Sequence, residues 1–223
     1  MSVVIELDHF FICTNVNAPE IERVLDCGLI EGRSNIHPGQ GTTNRCIFFH
    51  NAMLEFLWVF DEEEVRTPLV APTHLWEKWR YRETGYSPFG IAFRCQTNQK
   101  TLPFATWSYR PPYLPSHLQI DIANNLDAKE PLLFIIPEGK RPDTQTLNRR
   151  QPLAHPNKIR EITNLQITIP TTTKFSPAID AVKTANLVTF ETGKEHLAKI
   201  EFDRGIQGKS FDYRPILPLE FYW

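Results

Sequence analysis

The sequence predicts an α+β fold in which the order strand–helix–strand–strand–strand occurs twice. Three observations carry that expectation. Short apolar segments rich in Val, Ile, Phe and Trp recur between turn residues, as strands require. A helix-start signal follows the first strand of each copy. The same element order then returns after a gap, which marks an internal repeat. The boundaries fall at residues 1–97 for the first βαβββ module, 98–157 for a Pro- and aromatic-rich insertion and 158–223 for the second module, within one compact domain.

Residues 3–13, rich in Val, Ile and Phe, predict a buried strand. A short helix follows to about Asp26, with Asn17 as its cap, Pro19 in its first turn and Gly28 just past its end. Residues 45–49 and 53–60 form a hairpin across the tight turn His50-Asn51-Ala52. Leu75, Trp76 and Trp79 share one face of a helix over 73–82, and 87–95 is the next strand. The second copy runs through a strand at 162–169, a helix capped by Ser176 with Pro177 in its first turn, and strands at 187–191, 197–202 and 211–217. Between the copies, aromatic residues are too frequent for a flexible linker, so the insertion is expected to be structured as a wall or lid.

Composition narrows the functions. The chain holds 24 Lys+Arg against 26 Asp+Glu, which gives no electrostatic pull toward nucleic acid. The acidic run 61–64 and the basic Asn148-Arg149-Arg150 read as solvated loops. Cysteines at 13, 27, 46 and 95 form no close pair, so neither a zinc knuckle nor a disulfide framework is expected. There is no signal-peptide pattern, and no apolar run approaches the roughly 20 residues that span a bilayer. A cytoplasmic protein without nucleic-acid or membrane partners is expected.

Two polar anchors stand inside apolar strands: His9 in Leu7-Asp8-His9-Phe10-Phe11 and Glu55 in Leu54-Glu55-Phe56-Leu57-Trp58. Burying an imidazole or a carboxylate is costly unless it meets a partner, a metal ion or a ligand. His9 reads as a cavity-floor ligand or acid–base group, or as a buried histidine bonded to a backbone carbonyl or to Asp8. Glu55 reads as a ligand or general base whose apolar neighbours would raise its pKa, or as a carboxylate paired with Arg45 or Arg94. His37, Thr43, Asn44 and Arg45 lie at a strand entrance beside Gly39 and Gly41, where amides and hydroxyls could orient a small polar ligand or simply make a turn. Trp58 beside Glu55, and Trp107, Tyr109 and Tyr113 in the insertion, are candidates to contact substrate. The insertion aromatics could instead cover a sheet edge.

These segments together resemble the vicinal-oxygen-chelate superfamily, and within it the glyoxalase-like proteins. The resemblance rests on Leu7-Asp8-His9, Leu54-Glu55-Phe56, the loop 37–42, the His155-Pro156-Asn157 entry to the second copy and the repeated module order. It implies curved mixed sheets enclosing a central cavity, with divalent metal ligands drawn from both modules. Carried over, His9 and Glu55 match the first pair. Asn164 aligns with His9 and Glu201 with Glu55, so Asn164 stands where a ligand histidine would. The implied metal set is His9, Glu55 and Glu201, with Fe, Mn, Ni or Zn as the ion. The implied activity is glyoxalase-like, of lyase, isomerase or dioxygenase type, on a small oxygenated substrate. Metal chelation would combine with proton transfer by Glu55 or Glu201, and Asn164 would contact substrate. The alternative is a metal-free protein that binds or sequesters a small molecule, as in the antibiotic-resistance branch. Two modules in one chain allow a monomer or a homodimer.

Overall fold

A computed structural model describes residues 5–95, 102–124, 126–170 and 174–223. The expected boundary at 97/98 lies outside these residues. The first strand, β1 (Ile5–Cys13), is the axis of the larger sheet. A β-bulge between Leu7 and His9 sets two residues of β1 against one of its neighbour, which leaves Asp8 as the extra residue. Before the bulge Ile5 and Leu7 face the main core, and after it Phe10 and Ile12 do. The inserted residue therefore turns His9, Phe11 and Cys13 to the opposite face.

Around β1 assemble β2 (Ile36–His37), β3 (Thr42–Phe48), β4 (Met53–Val59), β5 (Phe89–Cys95), β6 (Thr106–Tyr109), β7 (Ile120–Ala123) and β8 (Leu132–Ile135). Their order is β2-β3-β4-β1-β5-β8-β7-β6, with β1 parallel to β4 and antiparallel to β5. The hairpin β3–β4 is present as expected. The insertion adds three strands to this sheet, through a parallel pairing of β8 with β5. The second sheet holds β9 (Ile162–Ile169), β10 (Thr189–Thr192), β11 (Leu197–Phe202), β12 (Ser210–Asp212) and β13 (Leu219–Tyr222), in the order β10-β9-β11-β13-β12. The fold is mixed α+β with curved mixed sheets.

Helices are short. The first, α1 (Ile21–Leu25), begins later than expected: Asn17 and Ala18 are left-handed, and Glu20 accepts bonds from Asn15 instead of a side chain capping the helix. An acidic turn, α2 (Glu62–Val65), is capped by Asp61. The helix expected over 73–82 is broken into α3 (Leu75–Trp79) and α4 (Tyr81–Thr84), because His74 is left-handed and Arg80 leaves helical geometry. The helix α5 (Pro177–Thr184) keeps its predicted signals, with Ser176 Oγ accepting from the Ile179 amide and Pro177 at the first position.

One face of the larger sheet (Phe10, Ile12, Leu54, Phe56), the inner face of the second (Leu165, Ile167, Ile200, Phe221) and buried residues of α1 and α5 share a single core. The opposite face of the larger sheet carries a separate cluster, including Phe11, Leu57, Tyr109, Leu132 and Phe134. Asn51 joins the two sheets by extending β9: its amide donates to Ile162 O (2.7 Å) and accepts from Ile162 N (3.0 Å). His155 makes a second joint, accepting from Ile30 N at Nδ1 (3.1 Å) and donating from Nε2 to Phe48 O (2.9 Å). Burial holds its pKa below the ordinary value, consistent with that neutral tautomer.

Candidate active site

The face of the larger sheet turned away from the second sheet curls around a cavity of about 290 Å³. Its floor is β1 and β4, its far wall β7 and β8, and Thr73, Leu75 and the 113–118 segment close over it. Most of the lining is apolar, with His9, His37, Gln40, Glu55, Tyr109 and Tyr113 supplying functional groups. At the floor, Phe11 lies against β5 only because its partner there is Gly90, where a Cβ would come within 2.0 Å of the ring.

His9 and Glu55 meet at this floor, with His9 Nε2 3.7 Å from Glu55 Oε2. Each is held from behind. His9 Nδ1 donates to Asp8 Oδ1 at 2.9 Å, and Asp8 Oδ2 accepts from Arg94, which also grips Glu6 and the Asn51 carbonyl. Glu55 Oε1 accepts from the Asn44 amide. The Asn44 orientation is fixed because its oxygen accepts from Asn35 N (2.7 Å) and Cys46 Sγ (3.2 Å). The facing atoms, Nε2 and Oε2, are thus the ones left for a ligand. Burial lowers the His9 pKa, but the Asp8 bond and the charges of Glu55 and Asp8 outweigh it and leave the net value raised. An aromatic edge contact from Phe134, 5.5 Å between centroids, completes the seat of the imidazole.

A second polar string enters from the rim. Tyr109 Oη donates to Gln40 Oε1 (3.0 Å), and Gln40 Nε2 donates to Thr42 Oγ1 (2.7 Å). Thr42 Oγ1 lies 2.9 Å from His37 Nδ1. Burial holds His37 below its ordinary pKa, so its imidazole is the neutral partner of the pair of histidines. Its ring packs on Tyr113 at 5.0 Å.

The cavity therefore gathers five of the sequence candidates, His9, His37, Glu55, Tyr109 and Tyr113, with Asn44 directly behind Glu55. Others stand elsewhere. Arg45 points to the α1 side, paired with Glu22 and Glu31, and Thr43 bonds Asn35 O. Trp58 belongs to the main core because β4 alternation turns it away from Glu55. Trp107 lines a neighbouring pocket of about 270 Å³. The amides of Gly39 and Gly41 are taken by Glu64 Oε2 (2.7 and 3.0 Å), so they are not open to a ligand.

Asn164 and Glu201 lie on the second sheet, and none of the residues lining the cavity comes from that sheet. Asn164 is exposed, and Glu201 accepts from Thr163 Oγ1 (2.9 Å). Strand pairing corrects the alignment of the two copies. In β9 a register shift again leaves one extra residue, Thr163, so Asn164 does correspond to His9. Glu201 pairs with Asn164 as Ala92 pairs with His9, so it is the counterpart of Ala92. Glu55 pairs with Phe11, and its counterpart opposite Gln166 is Thr189. The donor set His9, Glu55 and Glu201 does not converge. Among the described residues no group of three or more His, Cys, Asp or Glu side chains is placed to hold a metal ion. The residues at the floor provide two donors, each with its far side already bonded, and do not fit the implied three-ligand centre.

No family model and no curated protein matches the chain. Among solved structures it is similar to the crystal structure of a hypothetical protein from Staphylococcus aureus, with a TM-score of 0.59 and 12% identity over 98% of both chains. That likeness shows a shared fold. A methylmalonyl-CoA epimerase from Mycobacterium tuberculosis matches 59% of this chain and 86% of its own at 16% identity, with a TM-score of 0.36, a level that defines neither fold nor activity. No helix among the described residues is long and apolar enough to cross a membrane.

Proposed function

We propose that the protein is a glyoxalase-like acid–base enzyme that moves a proton at a carbon next to a carbonyl in a small, largely apolar substrate. One observation carries this reading: His9 Nε2 and Glu55 Oε2 face each other at 3.7 Å on the floor of a largely apolar cavity. With the carboxylate as base, Glu55 Oε2 takes the proton from the carbon. The protonated His9, favoured by Asp8, donates from Nε2 to the carbonyl oxygen as negative charge develops there. Return of a proton to the same or the neighbouring carbon completes an epimerisation or isomerisation. The low polarity of the walls strengthens both interactions, and His37 and the tyrosines supply neutral hydrogen-bonding groups that orient oxygen atoms. The second reading, a protein that binds or sequesters a small apolar molecule, is favoured by the same predominantly apolar lining.

Exchange of α-hydrogens in D₂O separates the two. With a hydrophobic methyl ketone such as 2-octanone as probe, the protein is expected to catalyse deuterium uptake, and Glu55→Gln to reduce it about 100-fold or more. Undiminished exchange in Glu55→Gln defeats the enzyme reading. Tight binding of the probe without exchange supports sequestration.

A further inference from the structure

We infer that the cavity is built for an amphiphilic anion, whose apolar part lies above His9 and Glu55 and whose carboxylate or phosphate is held outside by Arg33, Lys140 and Arg149. The inference rests on the proton-transfer reading for its site and adds the substrate class. A cleft of about 390 Å³ adjoins the cavity across Asn35, Met53, Ile136 and Pro137, which line both, and the inferred ligand runs past these side chains from one into the other. Arg33, Lys140 and Arg149 line that cleft.

Among the described residues, all three side chains are exposed and without a counter-ion, as are Arg150, Arg160 and Lys209 elsewhere on the surface; what marks these three is that they line one cleft beside the cavity. Arg45, Arg94, Arg141 and Arg214 each pair with carboxylates. Among the described residues, none of the charged groups of Arg33, Lys140 and Arg149 has an ion pair or a hydrogen bond. The acids lining the cleft are Asp8 and Glu138, and Asp8 is already engaged by Arg94 and His9. Three uncompensated cations against Glu138 leave the cleft net positive.

The cleft is also fixed to the chemistry. Gly139 lies so close to the support of His9 that a Cβ there would stand 2.7 Å from Arg94 Cβ and 2.9 Å from Asp8 Oδ2. This close approach seats the segment 138–140, and with it Lys140, directly beside the Asp8–His9 pair. An apolar wall cannot set how far a chain slides along a cavity. An anionic end gripped by two guanidinium groups and an ammonium can, and would place the reacting carbon over Glu55.

The experiment compares decanoate with decanol, both below micellar concentration, by calorimetry at low salt. Decanoate is expected to bind about tenfold or more tightly than decanol, with the preference fading as salt is raised. In Arg33→Glu/Lys140→Glu/Arg149→Glu the preference is expected to vanish or invert while decanol affinity is kept, which also shows that the cavity remains folded. Equal affinities in the unaltered protein, or a preference insensitive to both salt and charge reversal, overturn the inference. The outcomes separate the two proposals. Loss of the decanoate preference leaves ketone exchange by Glu55 untouched, whereas a decanoate preference alongside exchange indifferent to Glu55→Gln upholds the anion site and removes the proton-transfer reading.

Discussion

His9 is held by Asp8, the partner the sequence offered for a buried histidine at this position. What the sequence hides is how adjacent strand residues, which ordinarily point to opposite faces, come to meet. The bulge at Asp8 brings its carboxylate onto His9 Nδ1. His9 and Glu55 were legible because a polar group in an apolar run is conspicuous, and His37 and Tyr109 because they recur near turn or insertion aromatics. Gln40, which links Tyr109 to Thr42, carried no such contrast. Asp8→Asn is expected to lower the His9 pKa, read by NMR titration of the imidazole. A histidine raised above 6.5 in the folded state adds stability that is complete below 6.5 and is lost as pH rises through the folded value. The pH-dependent part of the stability gap between Asp8→Asn and the unaltered protein should therefore be widest near pH 6 and shrink above it, as urea melts would show.

At the level of elements, the hairpin β3–β4, the Ser176 cap and the first strand of each copy follow from local pattern, because a turn, a hydroxyl and an apolar run act over a few residues. The helix over 73–82 fails for the converse reason. Trp79 spends its indole N–H on Thr14 O (2.8 Å), and Lys78 reaches Glu130 O (2.9 Å), so tertiary contacts outside the helix set its path. The pairing partner of Glu201 was likewise invisible. Ile200-Glu201-Phe202 resembles Leu54-Glu55-Phe56 residue by residue, yet β11 runs antiparallel to its first strand and β4 runs parallel to its own. Between elements, the Phe11–Gly90 contact is the tightest fit at the cavity floor. Gly90→Val forces the ring to move and is expected to cost about 1–3 kcal/mol in chemical denaturation. Retention of full stability would mean that β5 shifts freely, against its central place in the sheet.

Across the whole molecule, the segment between the copies is a structural part of the cavity, since β7, β8 and the 113–118 segment make its far wall and part of its roof. The buried Lys78 ties α3, which brings Leu75 to the roof, to the turn before β8 through Glu130 O. Burial pulls its pKa from 10.5 to about 8. Between those values the unfolded chain holds a proton that the folded chain has lost, so stability rises with pH across that window. Comparing urea melts at pH 7.5 and 10, the unaltered protein should gain roughly 2–3 kcal/mol over Lys78→Met. A constant difference between the two would show that the ammonium is not buried in solution.

The register shift at Thr163 gives the second sheet a counterpart of the Asp8 bulge. The second sheet has the same bend, at the same place, presenting Asn164 as the first presents His9. It repeats the bend without the facing pair: Thr189 stands where Glu55 does, and the face is open to water. Installing Asn164→His with Thr189→Glu should recreate the pair in outline, yet its imidazole should titrate near the ordinary 6.5 of a solvated histidine. If so, what divides the two floors is not their strands, since β13 and β12 line up beyond β11 as β8 and β7 do beyond β5, but the cover that Thr73, Leu75 and the 113–118 segment lay over the first alone.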